Sequence, residues 1–296
     1  MPRNRAIKGM AAMMRGGSDV GNGASAPPGT LCGGRFAFRA LAEFPSGMGP
    51  RTGTCLVVGA SSGIGLALAR RLALSGRKVA MLARRDRELA AQAATTNDAL
   101  GRQAAFAYAH DAADVDAVEP LFARIEQDLG PVDEVHFVAG VMPDVAIDEF
   151  DLGKDRHQVQ VNMLGCIAWG NAAARRFLAR KAGCFVGVSS VAGDRGRGGR
   201  PGDNPRPAGL DCYLEALRNR LWRHGVQVTT IRPGFVETPM TAGLKLKGAI
   251  PADTAAGLIL RARDRRKAVA YVPGKWRLIM TVIKLIPSFL FRRLSI

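Results

Sequence analysis

Cys55-Leu56-Val57-Val58-Gly59-Ala60-Ser61-Ser62-Gly63-Ile64-Gly65, followed by the amphipathic run Leu66 to Leu74, decides the fold of this 296-residue chain. The four apolar residues read as a buried strand, the glycines as a tight turn and the run after them as a helix. That is the context a dinucleotide-binding fingerprint requires. Glycine at 59 permits the turn, glycine at 63 lets the backbone approach a diphosphate, and glycine at 65 lets helix and strand pack closely. The diphosphate is then expected at the helix N-terminus, against Gly59, Ser61, Ser62, Gly63, Ile64 and Gly65.

Outward from this turn, strand-like and helix-like segments alternate. Strand Lys78–Leu82 leads to a helix from about Arg87 to Leu100, and strand Gln103–Ala109 to helix Val115–Leu129, capped by Asp114 and stopped at Gly130-Pro131. Strand Glu134–Val138, a helical region from about Gln158 to Arg180 and strand Cys184–Val188 follow. Helix Asp211–His224 and strands Gln227–Ile231 and Ala268–Val272 complete the series. Such alternation predicts an α/β fold: a doubly wound parallel sheet of about seven strands with helices on both faces.

A formal charge of +17 invites a nucleic-acid or membrane reading, but its distribution is uneven. Residues 1–52 hold seven basic and two acidic residues, residues 261–296 ten and one, and the chain between them 25 and 22. The basic character belongs to the ends, so nucleic acid is not the expected partner of the central domain. Residues 1–52, rich in Gly, Ala, Met and Arg, are expected to be a disordered basic extension. Their apolar run Met10 to Met14 is too short for a signal peptide, and Met48 is an alternative start. Residues 53–275 form the expected nucleotide-binding domain and residues 276–296 an apolar, basic C-terminal segment. The five cysteines lack a Cys-x-x-Cys pair and the four histidines lack metal-ligand spacing, so neither a metal nor a disulfide framework is expected, and the chain reads as cytoplasmic.

The Gly-x3-Gly-x-Gly spacing resembles the compact short-chain dehydrogenase/reductase family, whose fold is of Rossmann type. The resemblance covers about residues 53–240. His110-Asp111 after the third strand is similar to the family's adenine-side aspartate, and Val138-Ala139-Gly140 to its Asn-Asn-Ala-Gly, with Phe137-Val138 in place of the asparagines. Asn162 matches the helix asparagine that supports a proton-relay water. Ile231-Arg232-Pro233-Gly234-Phe235-Val236-Glu237-Thr238 resembles the segment bracketing the nicotinamide, with Thr238 near the carboxamide. The resemblance implies NAD(P)-dependent hydride transfer between nicotinamide and a carbonyl or secondary alcohol, in a homo-oligomer. NADP is preferred to NAD, because the second strand ends in Met81-Leu82-Ala83-Arg84-Arg85. Arginine there accommodates a 2′-phosphate, where a carboxylate would take a free hydroxyl.

The catalytic motif is incomplete. In the family a serine orients substrate, a tyrosine passes the proton, and a lysine four residues later lowers the tyrosine pKa from its ordinary ~10. Ser190 matches the serine, but the tyrosine and lysine positions hold Asp203 and Pro207. Proline restricts the residue before it and cannot donate inside a helix, so the helix is expected to begin at or after Pro207. An ionised Asp203 is a poor substitute for a phenol. Tyr271 and Lys275 have tyrosine–lysine spacing only by chance, and Tyr213 is expected to pack. The flanks, Val188 to Gly193 and Leu210 to Arg220, keep family register without insertion or deletion. Divergence into a catalytically silent NADP-binding protein would leave that pattern, and so would a compensated pair of frame shifts.

Trp276 to Arg293 is apolar with basic punctuation and too interrupted to span a bilayer, which takes about 20 apolar residues. It reads either as a basic amphipathic segment lying on the inner membrane surface, suited to lipid-like substrates, or as a helix covering the cleft or a dimer surface. Membrane-surface or nucleic-acid binding through the basic ends is the reading from outside enzymology.

Overall fold

A computed structural model describes residues 52–146, 148–196, 205–244 and 246–294; for 205–207 it describes the backbone only. Its core is a seven-stranded sheet made of β1 (Thr54–Val58), β2 (Lys78–Ala83), β3 (Ala105–Ala109), β4 (Val132–Phe137), β5 (Cys184–Val188), β6 (Gln227–Pro233) and, at one edge, the strand Val269–Val272. Two short strands, β7 (Val236–Glu237) and β8 (Ile250–Pro251), pair separately, which makes Val269–Val272 β9. The order is β3-β2-β1-β4-β5-β6-β9, and every pairing is parallel.

Every residue of β1 is buried, as a strand covered on both faces should be. Alternate side chains serve opposite layers. Leu56 and Val58 join Phe122, Phe137, Trp169 and Leu214 under helices α3 (Val118–Leu129), α5 (Gly165–Arg180) and α6 (Pro205–Leu221). Cys55 and Val57 join Leu68, Leu72, Leu89 and Ile259 under α1 (Gly63–Leu74), α2 (Asp86–Leu100) and α7 (Ala252–Asp264). A third cluster joins Val191 to Trp276, Met280, Ile283 and Phe291 of the C-terminal helices α8 (Lys275–Leu285) and α9 (Ser288–Phe291). Among the described residues, no helix is long and apolar enough to cross a membrane.

The doubly wound sheet is as expected, and the differences lie at helix ends. The helix expected from Gln158 starts earlier, as α4 (Leu152–Val159), because Asp151 accepts from the backbone N–H groups of Gly153 and Lys154. Its first two turns are polar, so apolar periodicity does not reveal them. A single π turn, Gln160–Leu164, separates α4 from α5. Asp114 does not cap α3; it accepts from Ala117 N in the turn before it. At α2, Asp86 is the first helical residue and Arg85 stands at the cap position.

The expectation that the helix after β5 begins at or after Pro207 is corrected: α6 starts at Pro205. Both prolines lie in its first turn, where backbone N–H groups have no intrahelical acceptor to lose. Sequence periodicity also misses α7, whose buried face is largely alanine (Ala255, Ala256 and Ala262) beside Ile259 and Leu260.

A buried ionic cluster ties the layers together towards the N-terminal ends of the strands. Glu134 of β4 accepts from Arg263 of α7 at 2.7 Å and pairs with Arg77 at 3.0 Å and with His136 at 2.7 Å. Burial opposes ionisation of this carboxyl, but His136, Arg263 and Arg77 outweigh it and hold the group well below the usual carboxylate range.

Candidate functional site

Strand order reverses between β1 and β4, and in open parallel sheets the crevice beyond the strand ends at such a point takes ligands. A cleft of about 740 Å³ opens there. The sequence-predicted residues Gly59, Ser61, Ser62, Gly63, Ile64, Gly65, Arg84, Arg85, Asp111, Ala139, Gly140, Asn162, Ser190, Pro233, Gly234 and Thr238 all line it. Asp203 lies outside the described residues, and of Pro207 only the backbone, within α6, is described.

The turn after β1 allows no side chains at two of its glycines. Gly59 has φ +92°, and a Cβ there would stand 2.6 Å from Ala139 N; one at Gly65 would stand 2.0 Å from the Gly59 carbonyl oxygen. Helix α1 has no side-chain cap and no acidic residue in its first turn. Its N-terminus therefore faces the cleft with the positive end of its dipole unopposed, a setting that favours an anion.

At the end of β2 the Arg85 guanidinium donates to Ser61 Oγ at 3.0 Å and Ser62 Oγ at 3.3 Å, and pairs with Glu88 at 2.7 Å. Two hydroxyls and one guanidinium thus converge beside the glycine turn, a donor set suited to a phosphate. Arg84 lies 4.0 Å from Asp111, whose other oxygen accepts from Ala113 N. Neighbouring His110 is buried and accepts from the Trp169 indole at 3.2 Å, and burial lowers its pKa.

Across the cleft, the π turn carries Asn162 inward. Its amide accepts from Val141 N at 2.7 Å and donates to Val141 O at 3.0 Å, fixing the loop after β4. Ser190 stands beyond β5, where its hydroxyl accepts from Ala192 N at 3.1 Å and starts a short 3₁₀ turn, Val191–Asp194. Thr238 and Thr241 cap each other above Gly63. Among the described residues lining the cleft there is no tyrosine, and Lys247 is its one lysine.

Tyr271 does not line the cleft and serves the packing behind it. Its hydroxyl donates to Asp194 at 2.9 Å and accepts from Arg232 at 2.7 Å, while Arg232 also binds Asp194 at 3.1 Å and Asp211 at 2.9 Å. Burial raises the Tyr271 pKa and, despite Arg232, that of Asp211. This cluster clamps the turn after Ser190 to β6, β9 and α6, behind the cleft wall. Tyr213 packs, with its hydroxyl donating to the Ile167 carbonyl at 3.2 Å. Sequence reading also missed Trp276, whose indole lies against Gly234 and stacks edge-on to Phe235 at 5.0 Å. Among the described residues no cluster of His, Cys, Asp or Glu is placed to hold a metal ion.

Comparison with known proteins gives this arrangement its family. The model of the short chain dehydrogenase family matches residues 53–248. The chain is 33% identical over 246 residues to the "Uncharacterized oxidoreductase in mprA 5'region" of Streptomyces coelicolor, covering 81% of this chain and 95% of that one. It is 32% identical over 200 residues to the 3-oxoacyl-[acyl-carrier-protein] reductase of Homo sapiens, covering 67% and 82%. Among solved structures it is similar to a point variant of actinorhodin polyketide ketoreductase with NADPH, at 30% identity and a TM-score of 0.61, covering 65% of this chain and 74% of that one. The chain belongs to the short-chain dehydrogenase family.

Proposed function

We propose that this chain binds NADP(H) and, within its family, is an oxidoreductase for a carbonyl or secondary alcohol on a small or lipid-like molecule. The observation that carries the cofactor choice is the convergence of Arg85, Ser61 and Ser62 at the end of β2. The NADPH of the ketoreductase structure supports the same cofactor, and the reductase relative supports the reaction class. When bound, the nicotinamide supplies or accepts the hydride. Ser190 is placed to donate to a substrate oxygen, Asn162 holds the facing loop, and Met142, Met240, Leu244 and Leu246 give the substrate end an apolar lining.

The second reading, an NADP-binding protein with little or no turnover, rests on α6. Positions 207, 210 and 214 share one face of this helix by their i, i+3, i+7 spacing. Leu210 lines the cleft and Leu214 is fully buried, and the lysine position of the family motif, in the first turn of the same helix, holds proline. Without a phenol–ammonium pair, a proton relay worth about 10²–10⁴ in rate is missing.

NADPH and NADH titrations followed by a carbonyl panel test both readings. NADPH binding with weak turnover, raised about 100-fold or more in the double variant D203Y/P207K, is the expected result. Failure to bind NADPH refutes the cofactor assignment. Binding with brisk wild-type turnover refutes the silent reading.

A further inference from the structure

Helix α8 has two apolar faces. Trp276, Met280 and Ile283 pack inward with Val191 and Phe291, beside the turn after Ser190. At 3.6 residues per turn, Leu278, Val282 and Leu285 fall on the opposite side, where they are 73%, 44% and 77% exposed. Helix α9 carries two more exposed apolar side chains, Phe289 and Leu290. The packing of the described residues does not account for a second apolar face on a surface helix. The charge around it has one sign: Lys275, Arg277, Lys284, Arg292 and Arg293 are exposed, and residues 275–294 contain no acidic residue. Lys284 leans to Asp194 at 3.6 Å, and no ion pair is described for the other four.

We propose that α8 and α9 dock this protein on an anionic membrane surface, with Leu278, Val282, Leu285 and Phe289 at the acyl boundary and the basic side chains on lipid phosphates. An amphipathic helix with basic flanks binds in this way, by apolar burial together with attraction to anionic headgroups. A second copy of the chain fits less well. A two-fold contact sets a patch against itself, so these cations would face each other without a carboxylate between them. Nucleic acid would leave the leucines unused. The first turn of α8 adjoins the cleft: the Lys275 ammonium lies 3.5 Å from where a Cβ on Gly248 would stand, next to cleft-lining Lys247. A lipid-like molecule leaving the bilayer would meet the cleft rim directly.

The test is co-sedimentation of the full-length protein with vesicles of phosphatidylcholine alone and of phosphatidylcholine mixed with phosphatidylglycerol. It reads the membrane face whether or not the chain turns over or binds NADPH. The expected result is binding to the mixed vesicles only. It weakens roughly tenfold or more in L278S/L285S and in R277Q/R292Q/R293Q, and weakens in high salt. Circular dichroism and the thermal midpoint of both variants stay at wild type, because the altered side chains are exposed. No binding at low salt, or wild-type binding by L278S/L285S, overturns the proposal. A soluble dimer that dissociates in L278S/L285S without any vesicle binding also overturns it and gives the face to a second copy.

Discussion

Replacing Arg85 with alanine should weaken NADPH binding and leave NADH nearly untouched. A hydrogen bond to a charged group contributes about 1.5–3 kcal/mol. The Arg85 side chain is 56% exposed, and solvent screening places its contribution at the low end of that range, about 1.5 kcal/mol. That is a factor of about 12 in Kd. NADH presents only a hydroxyl there, so its Kd should move by less than about twofold. Glu88 sharpens the reasoning, since its carboxylate at 2.7 Å competes for the same guanidinium. Glu88→Gln should release that competition and tighten NADPH binding by about two- to threefold, the scale of an exposed ion pair. Quenching of the tryptophans, or nicotinamide fluorescence, titrated with each nucleotide reads both variants. Equal weakening of NADPH and NADH in Arg85→Ala, or no change in either, refutes the assignment of this end of the cleft to a 2′-phosphate.

Glu134→Gln removes the carboxylate that buried Arg77 and Arg263 share, leaving Arg263 with Asp264 alone, and should cost about 3–5 kcal/mol in urea unfolding. Because the folded Glu134 pKa is depressed below its unfolded value of about 4.3, its contribution is complete above about pH 5 and lost as pH falls further. The variant's stability should therefore fall less steeply with acid than the wild type's. Gly234→Ala would set a Cβ 1.9 Å from the Trp276 indole nitrogen, so the C-terminal helix must shift. Overpacking of this kind costs about 1–3 kcal/mol and should appear as a lower thermal midpoint with increased proteolysis near α8. The gain of turnover in D203Y/P207K, read as NADPH oxidation over a carbonyl panel, is the remaining expectation.

What the sequence revealed follows from how local each signal is. The glycine turn was legible because its chemistry is local: Gly59 must take a positive φ, and Gly65 must lie against the turn's own carbonyl. Strands β1, β2 and β5 were legible because they are apolar on both faces. Helix α4 was not, since its first turns are polar and stand on the Asp151 cap. Helix α7 escaped because alanines on a buried face make a weak periodic signal. Proline misled at α6, because its cost depends on which turn of the helix it occupies. The contact of Arg85 with Ser61 and Ser62 joins residues 23 and 24 apart, and the Tyr271–Asp194–Arg232 clamp joins residues up to 77 apart. No spacing rule reaches that far.

Read alone, the sequence contains the doubly wound fold, the glycine turn that lines the cleft, and the absence of a tyrosine and lysine at 203 and 207. Tertiary structure alone decided that the C-terminal apolar run is divided between two uses. Trp276, Met280 and Ile283 close the wall beside Ser190, and Leu278, Val282 and Leu285 are left facing out. Periodicity tells which residues share a face of a helix; only the neighbours brought there by the rest of the chain tell which face is covered.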